Sequence, residues 1–596
     1  MRPNNRRPDP GGFSGEMVLL WLVVVAAVLA IGGVNVAVRI GARLDGAGQA
    51  VPGDVFTLFF GVLKGTVPWP SASKWVLAVF LVVVVAIAAA GVALTRPARR
   101  RRTRVDRAAA YMGRGRDVEA QGRKAATATA RRLGVEQSPG VPIGRTVNGH
   151  RWLFGTFEDM HIDIWGPRTG KTTSRAVPAI LDAPGAVLVT SNKRDVVDAT
   201  RDIRAVSGPV WVFDPQGIAL EEPVWWWNPL SYVTDEVKAS KLAEHFASGS
   251  RDPGARTDAY FDPAGQDLLA DLLLAAALDN RPITDVYRWL TRPNEEAAAD
   301  ILNAHGFTLS GDRAAGVVAL PEKQRGGIYG TAQQMASCLT NRTIARWVTP
   351  QSPSDRRPQL DPTTFISAGV GTLYSLSKEG KGTAGPLVTA LTVAVVEAAE
   401  ELAARSAGGR LSTPLMGVLD EAANVCRWRE LPNLYSHYGS RGIVLMTILQ
   451  SWSQGVEVWG ESGMKKLWSA ANVKVYGGGV SEATFLEDLS RMIGDYDRQS
   501  SSLSTGRGHR TVSRQLHRER ILDVADLAAM PKGRAVVLAS GSRPTLIQTQ
   551  PWMTGPHADA VRSSIKAHDP QAPTTISQAE QEVHLVMSTT DPAVTP

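Results

Sequence analysis

The feature that most constrains the fold of this chain is a short loop that follows an apolar run and opens a predicted helix. The loop consists of Gly166, Pro167, Arg168, Thr169, Gly170, Lys171, Thr172 and Thr173. Backbone N–H groups of such a loop, together with the positive end of the next helix, can hold phosphate oxygens. Lys171 can then reach the β- and γ-phosphates, and Thr172 can bind Mg²⁺. The segment therefore predicts a phosphate-binding loop between a buried strand and a helix.

The spacing within this loop departs from the usual motif. Three residues separate Gly166 from Gly170, whereas the motif has four, so Trp165 stands where the first glycine usually lies. We expect the first turn of the loop to differ accordingly. The alternative interpretation is a glycine-rich turn with a solvated lysine, and the agreement of the Gly-Lys-Thr core with its strand and helix context disfavours it.

An apolar run that ends in two acids supplies the partner that such a loop requires. Residues 415–419 form a predicted strand, and Asp420 and Glu421 follow it directly. We expect Asp420 to bind the metal, directly or through water, and Glu421 to polarise the attacking water. Simple helix capping is the alternative for both acids.

Two further polar residues flank another predicted strand, at residues 443–449. Gln450 follows the strand and is placed to sense the γ-phosphate beside the acidic strand. Arg441 precedes it and could reach the phosphate of a neighbouring subunit as an arginine finger. An ordinary strand-end glutamine and a surface arginine are the respective alternatives.

Short apolar runs alternate with helix-length segments over most of the chain, which is the pattern of an α/β protein with a parallel sheet. The strand signal fades between residues 239 and 346, where Ala- and Leu-rich stretches with helical periodicity predict an all-α insertion. From residue 556 the chain is rich in Pro, Thr, Ser and Gln, which predicts a disordered tail. Strands are predicted at residues 161–165, 186–190, 210–213, 371–376, 415–419, 443–449, 473–476 and 535–538.

Two uncharged apolar stretches lie near the N-terminus, at residues 17–38 and 75–94. Each meets the requirement of roughly 20 apolar residues for a membrane-spanning helix. Arginines at positions 2, 6 and 7 precede the first stretch, and six more follow the second between positions 96 and 104. The positive-inside bias therefore places both termini in the cytoplasm and residues 39–74 outside.

The net charge of +8 suits an anionic partner, either a phosphate backbone or an acidic lipid surface. Residues 500–520 form a basic segment that we expect to be flexible and able to contact DNA, with a solvated surface loop as the alternative. Packing is the favoured role for the tryptophan run at residues 225–227. Cys338 and Cys426 lack the spacing of a disulfide framework or a thiolate metal site.

Several of these blocks together resemble the type IV coupling proteins, the TraG/TraD-like ATPases of bacterial conjugation. The blocks are the phosphate-binding loop, residues 191–195, Phe213-Asp214-Pro215, Leu360-Asp361-Pro362, residues 373–376, residues 419–424, residues 441–443 and residues 448–451. The resemblance runs from the apolar N-terminus to about residue 550. It implies a RecA-like P-loop motor domain with an inserted all-α domain, preceded by two transmembrane helices. It also implies an ATP site at which Lys171, Asp420, Glu421 and Gln450 lie.

The resemblance gives the predicted domain order. A membrane anchor (1–104) and a basic cytoplasmic linker (105–150) are followed by the first segment of the ATPase domain (151–238), the all-α insertion (239–346), the second segment of the ATPase domain (347–555) and the tail (556–596).

The predicted function is that of a multi-pass ATPase of the cell membrane whose motor domain is cytoplasmic. It would couple a relaxosome and its DNA to a type IV secretion channel and drive DNA translocation as a homo-hexamer. Relaxase, channel proteins, DNA and the membrane are the implied partners. The alternatives are an FtsK-like double-stranded DNA pump, a type VII protein-secretion ATPase, and a recruitment adaptor that does not hydrolyse ATP.

Overall fold

The computed structural model describes residues 15–46, 51–100, 103–250, 258–380, 382–506 and 509–588. Two compact units make up the chain. The first comprises residues 1–103, 495–520 and 587–596, and the second comprises residues 104–494 and 521–586.

The strands, in chain order, are β1 (Val141–Thr146), β2 (Trp152–Gly155), β3 (His161–Ile164), β4 (Val187–Ser191), β5 (Val210–Phe213), β6 (Thr372–Leu376), β7 (Leu415–Leu419), β8 (Ile443–Leu449), β9 (Val473–Tyr476), β10 (Asp495–Gly506), β11 (His509–Arg520), β12 (Arg534–Ala539) and β13 (Thr545–Gln548). All but β10 and β11 form one sheet of the second unit.

The helices are α1 (Gly15–Leu44), α2 (Val55–Leu63), α3 (Ser73–Arg100), α4 (Arg104–Ala108), α5 (Arg123–Arg132), α6 (Val177–Leu181), α7 (Asp195–Ala205), α8 (Glu236–Ser250), α9 (Phe261–Leu278), α10 (Thr284–Leu290), α11 (Ala297–Ala304), α12 (Thr308–Val318), α13 (Glu322–Met335), α14 (Arg342–Val348), α15 (Pro362–Ala368), α16 (Gly385–Arg405), α17 (Ala422–Val425), α18 (Leu431–Tyr438), α19 (Trp452–Ala470), α20 (Ala483–Ile493), α21 (Val524–Ala528), α22 (Ala558–His568) and α23 (Ala572–Ser588).

The sheet of the second unit is mixed, with the strand order β2-β1-β13-β12-β9-β3-β8-β7-β4-β6-β5. Strands β9, β3, β8, β7, β4, β6 and β5 run parallel, and the remaining four pair antiparallel. Every residue of β3, β4, β6, β7 and β8 is buried, as expected of parallel strands covered on both faces. The carboxyl ends of β3, β8, β7 and β4 therefore lie side by side at one edge, and the residues that follow them share that edge.

All eight predicted strands are present, within a residue or two of their predicted ends. In the sheet of the second unit, the pattern did not predict β1, β2 and β13. β1 contains Pro142 and Gly144, which weaken a strand signal.

Helices α8 to α14 occupy the region predicted as an all-α insertion, between β5 and β6. Aromatic packing joins the two ends of this region. The ring centroids of Trp225 and Trp347 are 5.6 Å apart, and the Trp227 amide donates to the carbonyl of Trp347 at 2.9 Å. Trp225 and Trp227 are buried, so packing is the role of the tryptophan run, as predicted.

The predicted disordered tail contains two helices, α22 and α23, and that prediction was wrong for the described residues of the tail. Val561 and Ile565 of α22 are buried against α7. The Ser564 hydroxyl donates to the carbonyl of Asp198 at 2.6 Å, and Arg194 donates to the carbonyl of His568 at 2.6 Å. A few apolar residues at helical spacing suffice here because α7 supplies the surface that covers them. Residues 589–596 lie outside the described residues.

In the first unit, α1 packs against α3. Among the described residues, Val23–Leu44 is long and apolar enough to cross a membrane, with a mean hydropathy of 2.3, whereas Ser73–Ala88 is shorter than that test requires. Of the two predicted membrane spans, the first therefore has a candidate helix among the described residues and the second does not. Arg2, Arg6 and Arg7 lie outside the described residues.

Strands β10 and β11 form an antiparallel hairpin in which Asp495 pairs with Arg520. The segment predicted as a flexible basic loop is therefore mostly strand, because its backbone groups pair with those of the adjacent residues 495–506. Arg518 donates to Asp495 at 2.6 Å and Arg520 donates to it at 3.1 Å, so two arginines of the predicted DNA-contacting segment are engaged within the hairpin. Another arginine of this segment, Arg507, lies outside the described residues.

Candidate nucleotide site

The phosphate-binding loop lies at the carboxyl end of β3, where backbone hydrogen bonds fix its entry. The Trp165 amide donates to the carbonyl of Leu449 at 2.9 Å, and the Gly166 amide donates to the carbonyl of Gly478 at 2.9 Å. Gly170 has φ +89°, a left-handed conformation that favours glycine. Arg168 has φ +60°, and Pro167 and Arg168 are exposed at the tip.

The unusual spacing of the loop has a structural explanation in the residues that follow β9. Trp165 is fully buried, and a Cβ added to Gly477 would lie 2.1 Å from its ring. A Cβ on Gly166 would lie 2.0 Å from the carbonyl oxygen of Gly479. The close approach that a first glycine usually allows is thus provided by the glycines at 477–479. Sequence reasoning missed these residues, although three glycines directly after a predicted strand are a detectable signal.

The helix after the loop begins with a π-helical turn, Thr172–Ala176, and continues as α6. Its Arg175 is fully buried and donates through Nε to Oδ2 of Asp163 on β3 at 2.6 Å. Burial, with the Arg175 charge beside it, lowers the pKa of His161 well below the ordinary value, so this imidazole is neutral. The buried ion pair ties the start of the helix to the strand that carries the loop.

Lys171 lies between the two acids that follow β7. Its Nζ is 3.2 Å from Oδ1 of Asp420 and forms an ion pair with Oε1 of Glu421. Burial opposes the charge on Lys171, yet the two carboxylates outweigh that effect and raise its pKa. Burial raises the pKa of Asp420 to about 6, even though Lys171 favours its charged form.

Glu421 is buried and has φ +54°, in the left-handed region that a non-glycine residue rarely adopts. Oε1 of Glu421 also accepts from Nε2 of Gln450 at 2.7 Å, and Oε2 accepts from Nδ2 of Asn424 at 3.3 Å. The structure therefore brings together Lys171, Asp420, Glu421 and Gln450. Asn424 is an additional neighbour to which the sequence interpretation gave no role.

The side chains present fit the Mg²⁺ that the loop implies. Within the described residues, Oδ1 of Asp420 is buried and accepts no hydrogen bond, so beyond its charge contact with Lys171 it is available to a metal ion or its water. Thr172 follows Lys171 and is half-buried. No group of three or more His, Cys, Asp or Glu residues that could hold a metal occurs in the portion of the chain that the structure describes. A nucleotide-bound Mg²⁺ needs none, since it keeps water and phosphate ligands.

Arg441 lies away from this group. It precedes β8, whereas Gln450 follows it, so the seven-residue strand of about 23 Å separates the two positions. Arg441 forms an ion pair with Glu400 of α16. Any phosphate contact of Arg441 would involve another subunit.

Comparisons with known proteins match both a stretch of the sequence and the fold. Residues 414–532 match the family described as "TraM recognition site of TraD and TraG". The bacterial conjugative coupling protein TrwBdeltaN70 in its unbound monoclinic form aligns with a TM-score of 0.51 at 16% identity, over 68% of this chain and 88% of that one.

Two further TrwB structures give the same likeness. The trigonal form with sulphate has a TM-score of 0.51 at 15% identity, over 71% of this chain and 92% of that one. The complex with the ATP analogue ADPNP has a TM-score of 0.51 at 16% identity, with the same coverage. At these identities the likeness is one of fold. No curated protein sequence matches.

Proposed function

On the premise that this chain belongs to the type IV coupling protein family, which the match at residues 414–532 and the shared fold support, we propose that it is a conjugative coupling ATPase. The observation that carries the proposal is the position of Lys171 between Asp420 and Glu421, with Gln450 on the same carboxylate oxygen. This set of side chains is what ATP hydrolysis at a phosphate-binding loop requires.

Nucleotide binding would rearrange the charges that the structure shows. The β- and γ-phosphates compete with the two carboxylates for Lys171, whose raised pKa keeps it positively charged. Once Lys171 has moved to the phosphates, Oε1 of Glu421 can accept a proton from the attacking water. Gln450, which already donates to that oxygen, is placed to orient the same water.

Mg²⁺, when bound with the nucleotide, would neutralise phosphate charge as it develops. The Thr172 hydroxyl and Oδ1 of Asp420 are the side-chain atoms that would hold it, the second directly or through water, once Lys171 has moved to the phosphates. The backbone N–H groups of the loop after Pro167, up to Thr173, would contact the phosphate oxygens, because Pro167 has no N–H and the Gly166 amide already donates to the carbonyl of Gly478.

The partners follow from the matched family and from charge. Because residues 414–532 match a family described as a TraM recognition site, we include relaxosome components and a relaxase among the proposed partners. The proposal further comprises anchoring through α1 in the cell membrane, a hexameric assembly, attachment to a secretion channel, and DNA translocation. The candidate span at Val23–Leu44 supports the anchor, and the net charge of +8 suits the DNA backbone.

ATP hydrolysis by the full chain in detergent, with and without single-stranded or duplex DNA, tests this function. Lys171→Ala and Glu421→Gln should each lower turnover at least about 100-fold, because the first removes phosphate binding and the second removes the base. Lys532→Ala and Glu461→Gln are matched controls at exposed positions and should leave turnover unchanged.

The outcomes separate the alternatives. DNA-stimulated turnover that both variants abolish supports the proposal, and the preferred DNA form indicates the cargo. ATP binding without turnover in an assembled oligomer would favour the recruitment adaptor. Turnover that no DNA stimulates would point to protein transport.

A further inference from the structure

Residues from three segments at the carboxyl edge of the sheet, two loops and the short helix α17, meet at one carboxylate oxygen. Oε1 of Glu379, in the loop after β6, accepts from Nδ2 of Asn192 at 2.7 Å and from Nδ2 of Asn424 at 2.9 Å. Asn192 follows β4 and Asn424 follows β7, and β4 lies between β6 and β7 in the sheet. The sheet order therefore places these segments in contact.

The amide of Asn424 also reaches the proposed catalytic base. Its Nδ2 lies 3.3 Å from Oε2 of Glu421, so its two N–H groups can each face one carboxylate. Ionised carboxylates only accept hydrogen bonds, and the NH₂ is therefore the end of the Asn424 amide that faces Glu379 and Glu421. Glu379 thus fixes the orientation in which Asn424 can donate to Glu421.

The two oxygens of Glu421 consequently have different neighbours. Oε1 contacts Lys171 and Gln450, and Oε2 contacts Asn424. A carboxylate acts as a base through one oxygen at a time, so holding the other oxygen fixes its direction. The backbone of Glu421 is strained at φ +54°, and such a conformation persists only where its surroundings hold it. The backbone N–H of Asn424 donates to the backbone carbonyl of Glu421 at 2.8 Å and helps to hold this conformation.

We propose that Asn424 is a positioning residue for Glu421 and that Glu379 orients Asn424. This relay rests on the proposed ATPase function. Asn424 holds Oε2 so that Oε1 faces the attacking water after Lys171 has moved to the phosphates. Asn192 supports the relay from β4: its Nδ2 donates to Glu379, while its Oδ1 is buried and has no partner among the described residues. Glu379 is exposed, so it is the member of the relay that solvent or a partner can reach.

Steady-state hydrolysis by the full chain in detergent tests the relay. Asn424→Ala should lower kcat about 10–100-fold with KM within about threefold, since the base loses its orientation while the phosphate-binding loop is untouched. Glu379→Gln keeps an acceptor oxygen and should retain kcat within about threefold of the wild type. Glu379→Ala removes that oxygen and should lower kcat more than Glu379→Gln does. Asn433→Ala, at an exposed asparagine of α18 whose side chain accepts from Lys466, is the matched control.

A pH profile tests whether the side chain at position 424 faces Glu421 during turnover. Asn424→Asp places a second carboxylate beside Oε2 of Glu421, and like charge raises the pKa of a carboxyl group. The base must be ionised, so the acidic limb of kcat should move to higher pH relative to the wild type, measured between about pH 5.5 and 9. An unchanged midpoint would show that position 424 does not face Glu421 during turnover and would contradict the relay.

Two results overturn the relay. One is a wild-type kcat in Asn424→Ala. The other is a loss of kcat in this variant that is accompanied by weaker nucleotide binding and a lower thermal stability. In the first case Glu421→Gln remains inactive and the proposed function stands. A wild-type chain that does not hydrolyse ATP removes the proposed function itself, and the relay with it.

Discussion

At the scale of single residues, the site combines buried charges that are stable only together. Asp420 and Glu421 are almost fully buried, and Lys171 is the cation that offsets them. Burial of a carboxylate costs free energy unless a charge or hydrogen bonds compensate. The raised pKa of Asp420 indicates that Lys171 only partly compensates the burial of its charge, which suits the metal-binding role proposed for this carboxylate.

A prediction at this scale follows from the pKa of Asp420. Because burial raises this pKa to about 6 from its ordinary value of 3.8, the folded chain binds more protons than the unfolded chain between these values. The free energy of unfolding therefore falls as pH rises through this window. Asp420→Asn should raise it by about 1–3 kcal/mol at pH 8 and have little effect below about pH 4.

Thermal or denaturant unfolding of the nucleotide-free chain, measured at both pH values, checks this prediction. Asp488→Asn, at an exposed carboxylate of α20, serves as the control and should show no such difference. Equal effects of Asp420→Asn at low and high pH would contradict the prediction.

At the scale of elements, the phosphate-binding loop depends on a second loop, after β9, as much as on its own sequence. The indole of Trp165 occupies the space that glycine at 477 leaves open, and the Gly166 amide donates to the carbonyl of Gly478. Protein interiors are close-packed, so a methyl group at such a contact displaces its neighbour.

Gly477→Ala tests this dependence. Its Cβ would lie 2.1 Å from the Trp165 ring, so Trp165 and the loop that follows it must shift. We expect a loss of about 1–3 kcal/mol in the free energy of unfolding, as for other overpacked sites, together with weaker binding of an ATP analogue. Gly316→Ala on α12, where the added Cβ meets nothing within 4 Å, is the control and should be neutral or slightly stabilising. Unchanged nucleotide affinity in Gly477→Ala would show that the two loops are independent.

At the scale of the whole molecule, helix α22, near the C-terminus, packs against α7 and adds to the apolar core beside the sheet. Val561 and Ile565 of α22 join the same apolar core as Val196 of α7 and Ile448 of β8. Hydrogen bonds from the side chains of Ser564 and Arg194 to backbone carbonyls add polar contacts between α22 and the start of α7. The stability of the second unit therefore includes residues beyond 555.

Ile565→Ala should lower the free energy of unfolding by about 2–4 kcal/mol, because it leaves a cavity between α22 and α7. Ser563→Ala, at an exposed neighbour on the same helix, should stay within about 0.5 kcal/mol of the wild type. Denaturant unfolding measures both. An Ile565→Ala chain as stable as the wild type would return this segment to the disordered tail that composition predicted.

The sequence alone was enough to predict the α/β class, the parallel strands, the helices between β5 and β6 and the resemblance to the type IV coupling proteins. It could do so because buried parallel strands, Gly-Lys-Thr and a strand that ends in Asp-Glu are local patterns. Three sets of contacts became visible only in the folded chain: those of residues 477–479 with the loop at Trp165, that of Asn424 with Glu379, and those of α22 with α7. These contacts join residues far apart in the chain, and their physical cause is the order of strands in the sheet and the close packing around it, neither of which leaves a local pattern in the sequence.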